Sequence, residues 1–167
     1  MKLIGKYISN IYYENTSVTN GASYCNKTLH IKNVEVNLEI WDTGGNKRTR
    51  RLTELFIRDS NINCLTYDIT SPESFNNIKN FWYKHALKNG KKDSLIAIIG
   101  CKSDLYGSVD QIEVEQFAKR INAPLILTSS KKGYNIDLLF ETIANEFLNI
   151  NFFESEYKKC LKKYISY

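Results

Sequence analysis

The stretch Val36-Asn37-Leu38-Glu39-Ile40-Trp41-Asp42-Thr43-Gly44-Gly45 decides how the chain is read. With Val34 and Glu35 before it, Val36, Leu38 and Ile40 alternate with Asn37, Glu39 and Trp41. A period of two marks a strand with one buried face. The strand runs into Asp42 and then a pair of glycines. A carboxylate at the C-terminal end of a strand suits hydrated Mg²⁺, which takes one or two carboxylates together with phosphate oxygens. Gly45 lets a backbone N–H approach a phosphate with no Cβ in the way. The same residues also fit a strand that simply ends in a turn of the Asp-Gly type, so the neighbouring segments decide.

Upstream, Leu3 to Asn10 reads as the end of a helix, and Tyr12 to Ser23 as a polar, irregular segment. Tyr24 to Ile31 alternates again, and only Lys32-Asn33 separates it from the next strand, which predicts an antiparallel hairpin. Downstream, Thr43 to Arg51 is a loop and Leu52 to Arg58 a short helix. Ile62 to Ile69 has the length and apolarity of a strand. Pro72 opens a helix at the position that suits proline, after Ser71 as N-cap, and Phe75, Ile78, Phe81 and Trp82 recur along it at helical spacing. Leu95 to Ile99 is a continuous apolar run, the pattern of a strand buried on both faces. A helix over Gln111–Ile121, a buried strand over Leu125–Leu127, and a helix with Ile136, Leu139, Phe140, Ile143 and Phe147 on one stripe complete the series. Strand–helix alternation from Ile62 onward implies right-handed crossovers and a mostly parallel sheet.

At 167 residues the chain is one domain in size, and 43% hydrophobic with 25% charged residues is an ordinary globular composition. A net charge of +5 is modest and selects no partner by itself. There is no secretory apolar region and no run of 18 apolar residues, so neither a signal peptide nor a membrane span is expected. Cys25, Cys64, Cys101 and Cys160 have no paired spacing, and His30 and His85 are the only histidines. That argues against zinc and for reduced thiols in the cytoplasm.

WDTGG resembles the WDTAGQ signature of Ras-superfamily GTPases, above all the Rab family. Gly100-Cys101-Lys102-Ser103-Asp104 resembles the guanine motif NKxD, with Cys101 in place of Asn. An aspartate there accepts two hydrogen bonds from the N–H edge of guanine, and a lysine stem covers the base face. Thr128-Ser129-Ser130-Lys131 resembles the TSAK loop, with Ser130 in place of Ala. Each match stands at the C-terminal end of a predicted strand, the edge where open α/β sheets bind ligands. Tyr67-Asp68-Ile69-Thr70 with Glu73-Ser74-Phe75 resembles the Rab YDIT…SF segment.

The resemblance implies GTP/GDP and Mg²⁺ as cofactors. It implies Gly45, Lys102, Asp104, Ser129, Ser130 and Lys131 as nucleotide-binding residues, with Thr19 and, through water, Asp42 as metal residues. Asn46 falls where the family's Gln orients the attacking water. Being one methylene shorter, its amide sits about 1.5 Å back, and displacement on that scale costs about 100-fold in rate. Tyr24, Trp41 and Phe56 fall where Rab proteins present an aromatic triad to effectors; Trp41 also fits burial under a switch loop. Lys47, Arg48, Arg50 and Arg51 form a basic cluster, read as a solvated loop rather than a nucleic-acid surface because no aromatics interleave.

The phosphate loop GxxxxGK[ST] is absent. The first strand is absent as well, although Lys2 falls near the position of that loop's lysine. The expected fold is therefore α/β, a P-loop-GTPase-like three-layer sandwich with a mostly parallel sheet and one antiparallel hairpin strand, without its first strand and phosphate loop. That strand's place lies between the strand ending at Asp42 and Ile62–Ile69, where its loss predicts a gap or two apolar edges. Either the chain is an N-terminally incomplete domain, the reading preferred here, or it is a true pseudo-GTPase. Residues 1–150 are read as the Rab-like domain and 151–167 as a basic tail, frayed or continuing the last helix. The tail carries no prenylation motif and makes at most weak peripheral contact with a membrane.

The expected function is a guanine-nucleotide-linked switch in vesicle trafficking with weak or absent GTP binding and hydrolysis. The alternative is a nucleotide-independent module that binds effectors or regulators. The expected partners are Rab-type effectors and exchange or activating proteins, the expected state a monomer, and the expected place the cytoplasm or the periphery of endomembranes.

Overall fold

The computed structural model describes residues 2–15, 17, 19–45, 50–151 and 161–166. The chain order is α1 (Lys2–Ser9), β1 (Ala22–Ile31), β2 (Val34–Thr43), α2 (Arg50–Asp59), β3 (Ile62–Asp68), α3 (Pro72–Asn77), a π-helical turn (Ile78–Trp82), α4 (Tyr83–Asn89), β4 (Leu95–Cys101), α5 (Gln111–Arg120), β5 (Leu125–Leu127), α6 (Ile136–Asn151) and β6 (Leu161–Ser166). One sheet has the order β1-β2-β6-β3-β4-β5. Among the pairs of this sheet in the described residues, the β1–β2 pair alone is antiparallel.

The hairpin turns at Lys32 (φ 46°) and Asn33 (φ 67°). Two successive positive φ values are what a two-residue connection needs to match strand twist, and asparagine tolerates them better than most residues. On β2 the alternation seen in the sequence becomes geometry: Val36, Leu38 and Ile40 are fully buried while Glu35 is exposed and Trp41 half-buried. In β3, Ile62 and Cys64 join one core while Leu65 and Tyr67 join the other. Ala97 and Ile99 against Ile98 divide β4 in the same way. One core holds α1 and α6 against the sheet, and the other holds α3, α4 and α5. This is the expected α/β three-layer sandwich.

Ser71 caps α3, its hydroxyl accepting from Ser74 N at 3.3 Å, with Pro72 opening the helix. The helix expected to run on through Trp82 changes instead to a π turn over Ile78–Trp82, which buries both Ile78 and Trp82. A π turn shifts the helical phase, so a 3.6-residue pattern does not reveal it.

The expected gap between β2 and β3 is closed. Leu161–Ser166 neither frays nor extends α6: it lies parallel to both neighbours, Leu38 level with Leu161 and Ile62 level with Lys163. The physical cause is the one that made a gap costly, since two central strand edges with unpaired backbone groups demand a partner.

Candidate functional site

The C-terminal ends of β2, β4 and β5 border a cleft of about 640 Å³. Gly44 and Gly45 reach it from the end of β2, Cys101, Lys102, Asp104 and Leu105 from the loop after β4, and Ser130 and Lys131 from the loop after β5. Lys2 and Leu3 reach it from the first turn of α1, and Tyr12, Ser17 and Thr19 from the segment between α1 and β1.

At one end the two loops are tied together. Ser129 is fully buried and its hydroxyl donates to Asp104 Oδ1 at 2.5 Å. Lys132 N donates to Ser129 Oγ at 3.1 Å, and Ser103 N donates to Thr128 O at 3.0 Å. Asp104 is thereby held at the rim with Oδ2 left for a ligand among the described residues. Lys102 adopts φ 63° and pairs with Asp68 at the end of β3. Despite burial, which acts the other way, the Lys102 ammonium and the Thr70 hydroxyl hold the Asp68 carboxyl below its usual range. Burial of the Cys101 thiol pushes it up to about 12, so it stays protonated and offers only a weak S–H donor. This end fits the planar N–H edge of a purine that donates to a carboxylate.

The other end is built differently. Asp42 is 1% exposed, and burial pushes its carboxyl up even though Thr19 Oγ1 donates to its Oδ2 at 3.1 Å. Lys2 Nζ turns toward the segment after α1, donating to Glu14 O at 2.7 Å and Tyr12 Oη at 3.2 Å. Leu3, the next residue, is an apolar group in the cleft wall at 2% exposure. Mg²⁺ asks for an octahedron of oxygens around an open carboxylate. Here the carboxylate oxygen and the hydroxyl face each other, and the following position brings methyl groups. Among the described residues no cluster of three acids, cysteines or histidines is arranged to hold a metal ion. The described residues at this end do not by themselves fit Mg²⁺.

Of the residues expected to bind nucleotide, Gly45, Lys102, Asp104, Ser130 and Lys131 line one cleft together with Thr19, and Ser129 lies behind Asp104. Asn46, Lys47 and Arg48 lie outside the described residues, and Arg51 is exposed. Tyr24, Trp41 and Phe56 meet elsewhere, on the outer side of β1 and β2. The Tyr24 and Trp41 rings are 4.9 Å apart, and the Trp41 and Phe56 rings 4.7 Å apart. Tyr24 is 50% exposed, so the patch is open at one end. Leu3, Tyr12, Ser17 and Leu105 escaped the sequence reading, because residues of these types in loops and helix starts carry no motif. Lys2 had a signal in its place near that of the phosphate loop's lysine.

Residues 1–149 match the sequence model of the Ras family. The chain is 34% identical over 146 residues to Ras-related protein Rab-26 of Rattus norvegicus, an alignment that covers 86% of this chain and 53% of that protein. It is 35% identical over 130 residues to Ras-related protein Rab-37 of Homo sapiens, covering 77% and 58% respectively. The chain thus spans about half the length of the curated relatives it matches. On these matches the chain belongs to the Ras family, and within it to the Rab type of small GTPase.

Proposed function

We propose that the cleft is a guanine-nucleotide pocket and that the chain works as a nucleotide-linked switch in vesicle trafficking, with low affinity for Mg·GTP. The supporting observation is the convergence of Gly45, Lys102, Asp104, Ser130 and Lys131 on one cleft, with Asp104 braced by Ser129. In this reading Asp104 accepts from the guanine edge, the Lys102 stem covers the base, and Ser129 to Lys131 present the loop that contacts it. Gly44 and Gly45 leave room for phosphate. Low affinity is proposed for these 167 residues because they contain no GxxxxGK[ST] cradle, whose backbone N–H groups and lysine supply much of the phosphate binding in P-loop proteins. Hydrolysis would be slow for the further reason that Asn46 is short. The partners in this reading are Rab-type effectors and exchange or activating proteins, met by a monomer in the cytoplasm or at the periphery of endomembranes.

A second reading has its own support. The Tyr24–Trp41–Phe56 patch is contiguous and partly open, the character of an aromatic anchor for a partner. The chain would then bind effectors or regulators with no nucleotide involved.

Titration of a fluorescent GTP analogue with Mg²⁺, with circular dichroism on the same sample, tests the first reading. A folded chain with a Kd weaker than micromolar is expected. A micromolar or tighter Kd would refute the low-affinity claim. A folded chain with no response to any guanine compound leaves the aromatic patch as the working surface.

A further inference from the structure

We infer that Asp68 is a positioning residue of the cleft: it anchors the Lys102 ammonium and so holds that lysine's stem where a guanine base lies against it. The inference rests on the guanine-pocket reading and adds to it a residue at the end of β3, to which the sequence reading gave no role.

Lys102 lines the cleft directly after β4 and adopts φ 63°. A residue with a Cβ enters that left-handed region at a cost and stays there only where its surroundings hold it. Ile69 N donates to Cys101 O at 3.1 Å and Ser103 N to Thr128 O at 3.0 Å, which fixes the backbone on both sides of Lys102. The ammonium is fixed separately, by its ion pair with Asp68 Oδ2. Asp68 has little freedom of its own, because its Oδ1 accepts from Thr70 N at 2.9 Å and from Thr70 Oγ1 at 2.7 Å. Despite burial, which acts the other way, the Lys102 ammonium and Thr70 keep the Asp68 carboxyl below its usual range, so it is charged at neutral pH. The Lys102 stem is thus held at both ends. A free stem gives up rotamer freedom when a base settles on it, and a tied one has already done so, which favours binding. Stability is a poor explanation for the pair. Its lysine side chain is 56% exposed and its aspartate 22%, and ion pairs open to water add little. The turn after β3 is held without the lysine, by Thr70 on Oδ1 and by Ser71 N on Asp68 O at 2.9 Å.

Calorimetry with GDP and with uncharged guanosine tests this, on the 167-residue chain, Asp68→Asn, Lys102→Met and the double variant. Asp68→Asn keeps an oxygen for Thr70 and removes the charge that holds the ammonium. Lys102→Met keeps an unbranched stem and removes the ammonium. Each single variant should weaken both ligands by about fivefold, the size of coupling found between residues in contact. The double variant should bind no more weakly than Lys102→Met alone, because Asp68 acts through the ammonium. Asp68→Asn also makes the chain more positive, which by itself favours an anionic ligand, so weaker GDP binding is not a general charge effect. Should Asp68→Asn fail to fold, Lys102→Met alone carries the test. A folded Asp68→Asn or Lys102→Met that binds as the parent does overturns the inference and leaves the guanine-pocket reading standing. So does an equal loss from Asp68→Asn with and without Lys102, which would place its effect in the fold. If the folded parent binds neither ligand, both fall.

Discussion

Asp42 is the residue at which packing and chemistry conflict most plainly. Its carboxyl is 1% exposed and burial pushes it up from the usual range, outweighing the influences that lower it, of which the Thr19 hydroxyl is one. A carboxyl that holds its proton more tightly folded than unfolded makes the native state the better proton binder. Its contribution to stability is full below the unfolded carboxylate range and is lost as pH rises through the folded value. Asp42→Asn keeps an oxygen to accept from Thr19 and removes the charge. The variant should therefore melt higher than the parent at pH 7.5, the difference shrinking toward pH 4. Thermal melts of both ligand-free proteins across that range decide it, and a parent that melts higher at pH 7.5 would refute the argument. At Cys101, which is half-buried, desolvation acts in the same direction and the thiol keeps its proton. A neutral thiol makes weaker polar links than the Asn of the related motif, so the tie between the loops falls to Ser129 and Asp104.

At the scale of elements, β4 shows how closely the sheet is packed just before the cleft. Gly100 precedes Cys101 and pairs with Tyr67 on one side and Leu127 on the other. A Cβ there would run into Leu127 Cδ2 and lie 2.9 Å from Tyr67 Oη and 3.1 Å from its Cζ. Tyr67 cannot easily swing aside, because it is 2% exposed and its ring lies against Phe75, 5.3 Å between centroids. Gly100→Ala should cost about 1–3 kcal/mol by overpacking, read as a lower urea midpoint with unchanged slope. No loss of stability would mean that β4 and β5 are looser than they look. The hairpin and the buried strands were legible in the sequence because alternation or continuous apolarity is imposed on each residue by its own strand. The π turn at Ile78–Trp82 was not, since Phe75, Ile78 and Trp82 satisfy a helical count whichever turn connects them. In the cleft Gly44, Gly45, Lys102, Asp104, Ser130 and Lys131 were legible, each sitting one to four positions past a strand end. Leu3, Tyr12 and Leu105 were not, because only the folded chain brings those apolar side chains beside them.

For the whole molecule the deciding feature is β6, and it was the least legible. Leu161-Lys162-Lys163-Tyr164-Ile165-Ser166 has adjacent lysines and neither strict alternation nor the apolar run typical of a central parallel strand. Its place is dictated by the slot between two remote strands rather than by its own pattern. Removing residues 161–167 should leave the inner edges of β2 and β3 open and give a chain that aggregates or unfolds without cooperativity. Light scattering and a urea titration check this, and a monomeric truncation with the parent's transition would show that β6 contributes nothing. The position of β6 also sets an order of events in synthesis. Its nearer partner, β3, ends at Asp68 and β6 begins at Leu161, 93 positions later. Until that stretch has been translated, the sheet exists as two separate halves, β1–β2 and β3–β4–β5, whose facing edges have no strand between them. Non-local parallel pairing of this kind is slow to form and exposes the chain to misassembly meanwhile. A nascent chain that has everything needed for the cleft's loops must still wait for its last strand before the floor beneath them becomes one surface.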